Sequence, residues 1–246
     1  MAFVRSADTY DLLSPPEARL PREREFLLHW AGAGVRVLEL ACGPGAHAHA
    51  LAGAGVPGRR VLATDLSPAM VQKAAQTYQV HGLEYRVADM LAPPEGPFDR
   101  VFILGNSLNL LPDEARVGEA LAALRRVMAP GASLLLQGLN PAAAGALLPK
   151  QVVKTARREG VEILVVKSLV PHQGRRALTL SSFQVDGGKR WESASETAIL
   201  LDLGAARLGD LLGSAGFERL EWYGGMDRSP FVEPQSVDWV VVAQRP

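Results

Sequence analysis

The fold of this 246-residue chain is decided by the stretch Val35-Arg-Val-Leu-Glu-Leu-Ala-Cys-Gly-Pro-Gly-Ala-His-Ala-His-Ala50. Its apolar start predicts a buried strand, Gly43 and Gly45 predict a tight turn, and the residues that follow predict a helix. Such a junction places main-chain N–H groups at the carboxyl edge of a parallel sheet, where nucleotide-like ligands bind. Glu39 is unusual there, because its carboxylate would repel a pyrophosphate and favour a cationic or hydroxyl-rich ligand.

Two further acids follow predicted strands. Asp65 ends the run that starts at Arg60, about 20 residues beyond the glycine turn, which is the spacing expected of an acid that holds a ribose. Ser67 and Pro68 then suit a helix start. Asp89 follows the strand-like run at 83–87. Acids at three consecutive strand ends, around one glycine turn, predict a single binding site.

The pattern Glu39-x-Ala41-x-Gly43-x-Gly45 resembles the first motif of class I S-adenosylmethionine-dependent methyltransferases, with Ala41 at the first glycine position. The segment that begins at Asp65 resembles the second motif of this family, and the segment that ends at Met90 resembles the third. The resemblance covers residues 35–137 and, less closely, 203–245. It implies that the acids contact the methionine amino group, the ribose and the adenine in turn. The cofactor-binding residues that it implies are Glu39, Ala41, Gly43, Gly45, Asp65, Leu66, Asp89, Met90, Gly105 and Asn106.

The loop after the fourth predicted strand is Gly105-Asn-Ser-Leu-Asn109. It resembles the corresponding loop of glycine- and sarcosine-type N-methyltransferases. The resemblance implies that Gly105 and Asn106 face the methionine moiety, and that Asn106 acts in catalysis while Asn109 orients the substrate. Asn and Ser also form turns through bonds from their side chains to the backbone, which is the alternative for Asn106, Ser107 and Asn109.

Other candidates lie further from the glycine turn. Tyr223, in the loop after a late strand, is a second catalytic candidate, and His172 and Arg228 are candidates for substrate binding. For His172 the alternative is an exposed hairpin residue. Tyr10, Arg22 and Arg24 of the N-terminal segment are candidates for the methionine carboxylate, with solvated helix charges as the alternative. Cys42 is expected to pack beneath the cofactor rather than to react.

Alternation of predicted strands and helices indicates an α/β fold. We expect a Rossmann-like methyltransferase sheet of seven strands, the last antiparallel, with a small antiparallel β insertion after the fifth. Residues 1–30 form a helical lid, 31–140 and 203–246 form the core, and 141–202 form the insertion, a possible substrate cover. Within it, 141–156 is predicted as a helical or irregular crossover, and strands are predicted at 161–170, 176–185 and 190–201.

The composition of the chain limits the classes of function that it suits. The net charge is zero, with 26 basic and 26 acidic residues, which makes nucleic acid an unlikely partner. The single cysteine excludes an internal disulfide, no metal site is expected, and no apolar run is long enough for a membrane span. The N-terminus lacks the features of a signal peptide, so a cytoplasmic location is expected. The oligomeric state is expected to be a monomer or a homodimer.

The sequence therefore predicts methyl transfer from S-adenosylmethionine to a small molecule, with an amine acceptor preferred over a hydroxyl. An RNA or protein methyltransferase, with the insertion as the recognition surface, is one alternative. A protein that binds S-adenosylmethionine without catalysis is another. An NAD-dependent oxidoreductase also stays open, because Gly43-Pro-Gly-Ala-His-Ala48 fits the loose dinucleotide-binding pattern.

Overall fold

The strand, glycine turn and helix predicted around Gly43 are present in the computed structural model, which describes residues 9–13, 15–146, 148–187 and 190–246. The predicted lid residues 1–8 lie outside the described part of the chain. The strand is β1 (Arg36–Leu40), and the helix is α3 (Ala46–Ala52), which follows α1 (Tyr10–Leu13) and α2 (Pro16–Ala31). No helix in the described ranges is long and apolar enough to cross a membrane.

The core is a seven-stranded sheet with the order β10-β11-β5-β4-β1-β2-β3. Strands β1 to β5 pair in parallel, and β11 is antiparallel to both of its neighbours, which confirms the predicted last strand. Because β1 to β4 run in one direction, their carboxyl ends meet at one edge of the sheet. The core strands after β1 are β2 (Arg60–Asp65), β3 (Leu83–Val87), β4 (Phe98–Ile103), β5 (Met128–Leu139), β10 (Glu218–Tyr223) and β11 (Asp238–Gln244).

Helices cover both faces of this sheet. One buried cluster includes Leu121 and Leu208 from the helices on one face, and the other includes Phe26 and Leu51 from α2 and α3. Apolar side chains therefore point from the parallel strands to both sides, as doubly covered sheets require. The remaining helices are α4 (Pro68–Thr77), α5 (Glu114–Val127) and α6 (Ala205–Ser214), with a 3₁₀ turn at Leu108–Leu110.

Two of the helices start at side-chain caps that the sequence indicates. The Ser67 hydroxyl accepts a hydrogen bond from Met70 N at the start of α4, with Pro68 as the first helical residue. The Asp113 carboxylate accepts one from Arg116 N at the start of α5. These caps satisfy main-chain donors that a helix leaves unpaired, and α4 begins at Pro68, close to the end of β2 at Asp65.

The insertion is a separate four-stranded antiparallel sheet, and it corrects one prediction. Its strands are β6 (Lys150–Arg158), β7 (Val161–His172), β8 (Arg175–Asp186) and β9 (Arg190–Leu200). Three were predicted, whereas the segment of β6 was assigned to a helical or irregular crossover. That assignment is wrong because β6 is an edge strand with most of its side chains exposed, so it lacks alternation between apolar and polar residues.

Candidate active site

A cavity lies at the carboxyl edge of the core sheet, between the ends of the parallel strands and the insertion. The glycine turn, the segments after β2, β3 and β4, and α4 form its floor, and α1 with β7 and β8 forms its roof. The floor contributes Ala41, Gly43, Asp65, Leu66, Ser67, Met70, Ala88, Asp89, Met90, Gly105, Asn106, Ser107, Leu110 and Leu111. The roof contributes Tyr10, Leu13, Lys167, Leu178 and Leu180.

The glycine turn leaves open space for a ligand at one of its two glycines. Gly43 has a φ of +53°, and a Cβ built on it would meet no atom within 4 Å. At Gly45, with a φ of +86°, a Cβ would lie 2.7 Å from the Tyr85 hydroxyl and 2.8 Å from Ala74 Cβ. Gly43 therefore lets a ligand approach the main chain, whereas Gly45 is required for close packing against α4 and β3.

Asp65 joins the turn to the start of α4. Its Oδ2 accepts a hydrogen bond from Gly43 N at 2.8 Å, and its Oδ1 accepts one from Ser67 N at 2.9 Å. Burial raises the pKa of the Asp65 carboxyl above its ordinary value, and these main-chain donors partly offset that effect. The side chain thus braces the turn while it lines the cavity, with lone pairs left for further donors.

Asp89 lines the same cavity, after the end of β3. Its Oδ1 accepts a hydrogen bond from Leu91 N at 2.9 Å, which shapes the turn after β3. Met90 and Leu66 line the same cavity, and Leu66 is 44% exposed although it is apolar. An exposed leucine at the mouth of a cavity offers a flat apolar surface to a ring.

Glu39 lies beneath the turn rather than in the cavity wall. It is 2% exposed, and its Oε1 lies 3.4 Å from His47 Nδ1. His47 Nε2 lies 2.6 Å from Glu23 Oε2, and both partners are buried. A carboxylate–imidazole–carboxylate cluster thus joins β1, α3 and α2. The contact of Glu39 with a methionine amino group stays a prediction.

Cys42 packs where the sequence places it. The side chain is buried, and burial together with the nearby carboxylates of Glu39 and Asp65 raises the pKa of its thiol well above the usual range. A protonated thiol is a poor nucleophile, so the surroundings of Cys42 favour packing over reaction.

The loop after β4 is held by bonds to its neighbours. Gly105 N donates to Gln137 Oε1 at 3.1 Å, and Leu139 N donates to Asn106 Oδ1 at 2.7 Å. Asn106 adopts a φ of +70°, a left-handed conformation that asparagine tolerates. Both residues line the cavity, and the Asn106 side chain has the turn-forming role that was the alternative. Their contact with the methionine moiety stays a prediction.

Asn109 is not brought to the cavity. It is fully buried, its Nδ2 donates to Leu201 O at 2.9 Å, and its main-chain O accepts from Leu201 N at 2.7 Å. The residue joins the cavity loop to the end of the insertion. The structure therefore supports a structural role for Asn109 in place of direct contact with substrate.

Three other predicted residues also lie outside the cavity wall. His172 is exposed at the turn between β7 and β8. The Tyr223 hydroxyl donates to Glu221 at 2.9 Å, and the Tyr223 ring packs edge-on against Phe26. Arg228 stacks its guanidinium over the same Phe26 ring, because the loop after β10 folds back onto α2. Catalytic or substrate-binding roles for these three have no support from their positions.

The N-terminal candidates also differ in whether they line this cavity. Tyr10 lines the cavity roof, whereas Arg22 lies at a different cavity beside Glu23 and Asp238, and Arg24 is exposed. Lys167 lines the cavity but was not among the predicted site residues; the alternation around Leu178 and Leu180 indicates a strand face on the neighbouring β8. Among the described residues, no group of three or more His, Cys, Asp or Glu is placed to hold a metal ion.

Comparison with known proteins agrees with this geometry. The family described as "Methyltransferase domain" matches residues 37–131, which run from β1 to the start of β5. A demethylmenaquinone methyltransferase of Thermus thermophilus is 36% identical over 153 residues, 58% of this chain and 67% of the relative. The chain belongs to the S-adenosylmethionine-dependent methyltransferase family.

Other relatives of this methyltransferase differ in the acceptor that their names state. A ubiquinone biosynthesis O-methyltransferase of Xylella fastidiosa is 34% identical over 125 residues, which are 47% of this chain and 46% of the relative. The sugar N-methyltransferase KedS8 of Streptoalloteichus superposes with a TM-score of 0.74 at 22% identity, over 96% of this chain and 92% of that one. CcbJ of Streptomyces caelestis superposes at 0.70 and 22%, over 94% and 96%. These two structures show the shared fold.

Proposed function

We propose that this enzyme transfers a methyl group to a small-molecule acceptor, and that the cavity at the sheet edge holds the cofactor and the acceptor side by side. The supporting observation is that the cavity has two chemically different ends. Carboxylates and open main chain lie at the ends of β1, β2 and β3, whereas leucines line the region beneath the insertion. A polar nucleoside and a more apolar acceptor suit these two ends.

The residues at the polar end fit S-adenosylmethionine. The Asp65 carboxylate would accept hydrogen bonds from the ribose hydroxyls, and Asp89 would accept one from the adenine amino group. Leu66 and Met90 would pack on the adenine, because both line the cavity and each directly follows one of these acids in the chain. Gly43 would let the cofactor lie close to the main chain, with Glu39, Ala41 and Gly45 shaping the turn beneath it.

Gly105 and Asn106 would lie beside the methionine moiety. When bound, the cofactor supplies a methyl group that its positive sulfur has already activated. The protein then has to align the acceptor opposite the sulfur and to keep water away. Gln137 and Leu139 hold the loop in position for this task, since they bond to Gly105 N and Asn106 Oδ1.

The methyl acceptor is expected to be either an amine or a hydroxyl compound. The resemblance of the loop after β4 favours an amine, whereas relatives named as ubiquinone biosynthesis O-methyltransferases favour a hydroxyl. The roof of β7 and β8 closes over the cavity, which suits a small molecule better than RNA or a folded protein. A cytoplasmic location and a monomeric or homodimeric state stay predictions.

Calorimetric titration with S-adenosylhomocysteine tests the proposal. The wild-type protein should bind, and Asp89→Ala should weaken binding about tenfold or more, because it removes a charged hydrogen-bond acceptor. Asp89 is a better first target than Asp65, whose replacement also loosens the turn at Gly43 and the start of α4. Asp210→Ala, at an exposed position of α6, is the matched control and should bind like the wild type.

Turnover completes the test. Purified enzyme with S-adenosylmethionine should methylate members of a panel of small hydroxyl and amine compounds. Binding of S-adenosylhomocysteine without turnover of any panel member or of RNA would favour the non-catalytic alternative. Binding of NADH in place of S-adenosylhomocysteine would contradict the proposal.

A further inference from the structure

We infer that Asp238 is a positioning residue of this methyltransferase, which fixes the side-chain amide of Gln137 and through it the loop after β4. The inference rests on the proposed function, in which Gly105 and Asn106 of that loop lie beside the methionine moiety. It assigns a task in cofactor binding to a carboxylate that lines a neighbouring cleft instead of the main cavity wall.

The loop after β4 has an uncommon backbone conformation. Gly105 and Asn106 are consecutive residues with positive φ angles, +72° and +70°. Residues other than glycine adopt this left-handed conformation at a cost, which is smaller for asparagine, so neighbouring groups have to hold it. Two such groups come from β5. Leu139 N donates to Asn106 Oδ1 at 2.7 Å, and Gly105 N donates to Gln137 Oε1 at 3.1 Å.

These two hydrogen bonds differ in what sets their direction. The Leu139 donor belongs to the main chain, so the sheet itself aims it. The Gln137 acceptor is one end of a side-chain amide, and the oxygen and nitrogen of an amide exchange places by a simple rotation. An amide that turned its nitrogen to Gly105 N would place donor against donor and lose the bond. The group that fixes the direction of this amide therefore also fixes the loop.

Asp238 is that group. Gln137 Nε2 donates to Asp238 Oδ2 at 3.1 Å. An ionised carboxylate only accepts hydrogen bonds and a main-chain N–H only donates them, so one orientation of the amide satisfies both neighbours. The register of the sheet places the pair, because Asp238 of β11 lies opposite Leu139 of β5. Gln137 is then the diagonal neighbour of Asp238 on the same face.

The surroundings of Asp238 strengthen this coupling. Asp238 and Gln137 line a cleft together with Arg22 and Glu23 of α2. Burial raises the pKa of the Asp238 carboxyl, and the bond from Gln137 lowers this pKa again, while Glu23 raises it and Lys150 lowers it. Because the bond from Gln137 favours the ionised carboxyl, the charge of Asp238 and the direction of the amide stabilise each other.

We call the chain of bonds from Asp238 through Gln137 to Gly105 the Asp238 relay. It runs from the neighbouring cleft to the wall of the main cavity. Without it the loop loses one of its two bonds to β5 and is free to leave its left-handed conformation. Binding of the methionine moiety should then weaken, whereas binding of the adenosine part, at the ends of β2 and β3, should not change.

The experiment reverses the polarity of the relay. Gln137→Glu replaces the donor that faces Asp238 with an acceptor, so that two carboxylates meet and repel each other. Adding Asp238→Asn again pairs a donor with an acceptor, with the donor now on β11, and leaves a carboxylate oxygen for Gly105 N. Asp238→Leu removes the acceptor outright. Gln76→Glu, at an exposed position of α4, is the matched control.

Three quantities are measured at a pH of about 8, where ordinary carboxyl groups are ionised. They are amide hydrogen exchange at Gly105 in the free protein, and calorimetric affinity for S-adenosylhomocysteine and for methylthioadenosine. Methylthioadenosine keeps the adenosine and sulfur but lacks the amino and carboxyl groups of the methionine moiety. It therefore reports on the adenosine end of the site alone.

Gln137→Glu and Asp238→Leu should each speed exchange at Gly105 about tenfold and weaken S-adenosylhomocysteine binding about tenfold, because one hydrogen bond is lost. Their affinity for methylthioadenosine should stay within about twofold of the wild type. The double variant should regain exchange and S-adenosylhomocysteine affinity to within about threefold of the wild type, and Gln76→Glu should match the wild type throughout.

Three results would overturn the inference. Losses in the double variant as large as those in Gln137→Glu would show that packing, and not the pairing of donor and acceptor, matters at these positions. Fast exchange at Gly105 with unchanged S-adenosylhomocysteine affinity would show that the loop does not hold the methionine moiety. An equal loss of methylthioadenosine affinity would indicate general loosening of the core. Absence of S-adenosylhomocysteine binding in the wild type would instead contradict the proposed function, and exchange at Gly105 would still test the relay.

Discussion

At the scale of single residues, the Asp65 carboxylate that we propose for the ribose also braces the glycine turn. Its two oxygens accept hydrogen bonds from Gly43 N and Ser67 N, and burial raises its pKa. A raised pKa means that the free protein gives up some stability as the pH rises through that pKa, because the buried charge then forms. Ribose hydroxyls that donate to the ionised carboxylate would offset this loss.

Cofactor affinity should therefore depend on pH through Asp65. As the pH falls through the raised pKa, the carboxyl becomes protonated, and affinity for S-adenosylhomocysteine should weaken by up to about tenfold per unit of pH. Calorimetry in buffers of different ionisation enthalpy should detect proton release on binding in that range. Asp65→Asn should bind more weakly and with less dependence on pH; an equally steep dependence in this variant would assign the effect to another group.

At the scale of elements, the insertion is held to the core where its strands meet the core loops. We call these contacts, made by Arg176, Asp202, Asn109 and Leu201, the root of the insertion. The guanidinium of Arg176 on β8, 2% exposed, donates from Nε and Nη2 to Asp202 Oδ1 at 3.2 and 3.0 Å. Next to this pair, Asn109 bonds to Leu201 through both its side chain and its main chain. The root thus fixes the roof of the cavity relative to the loop after β4.

Breaking the ion pair at this root should cost more than breaking one at the surface. Arg176→Met should lower the free energy of unfolding by about 2–4 kcal/mol, because a buried charge pair loses one partner while Asp202 keeps partial access to water. Arg207→Met removes an exposed pair with Glu114 and should cost about 1 kcal/mol or less. Urea unfolding measures both, and equal losses would contradict the assigned role of the root.

The elements also explain which parts of the site were predictable. The glycine turn, the acids after β2 and β3 and the cap at Ser67 follow from local patterns, because a parallel strand and its following turn are encoded together. Lys167 and Leu180 were not assigned to the site, because their place depends on how a distant sheet docks. His172, Tyr223 and Arg228 were overestimated for the same reason, since loop direction is set by contacts such as those to Phe26.

At the scale of the whole molecule, the core and the insertion pack largely independently of each other. In the described chain, neither of the two large apolar clusters includes a residue between 150 and 200. The polar end of the cavity, which we propose for the cofactor, belongs to the core, and the leucine-lined end, which we propose for the acceptor, is shared with the insertion.

Removal of the insertion should therefore separate binding from catalysis. A variant with residues 150–199 replaced by a short glycine–serine linker, and with Leu201 kept as the partner of Asn109, should retain the core fold. We expect its affinity for S-adenosylhomocysteine to stay within about tenfold and its methyl transfer to be lost. Circular dichroism and calorimetry would check the first expectation; loss of cofactor binding by a folded variant would show that the roof is needed for both.

The root of the insertion has a consequence for how such enzymes diversify. Asp202 and the Asn109–Leu201 bonds lie where the insertion rejoins the core, so a foreign roof that joins there would have to supply a partner for Asp202 in place of Arg176. A chimera that joins a foreign roof at these points would exchange acceptor preference while it inherits an intact cofactor module. One ancestral core could in this way give rise to enzymes with different acceptors, without any change in its glycine turn.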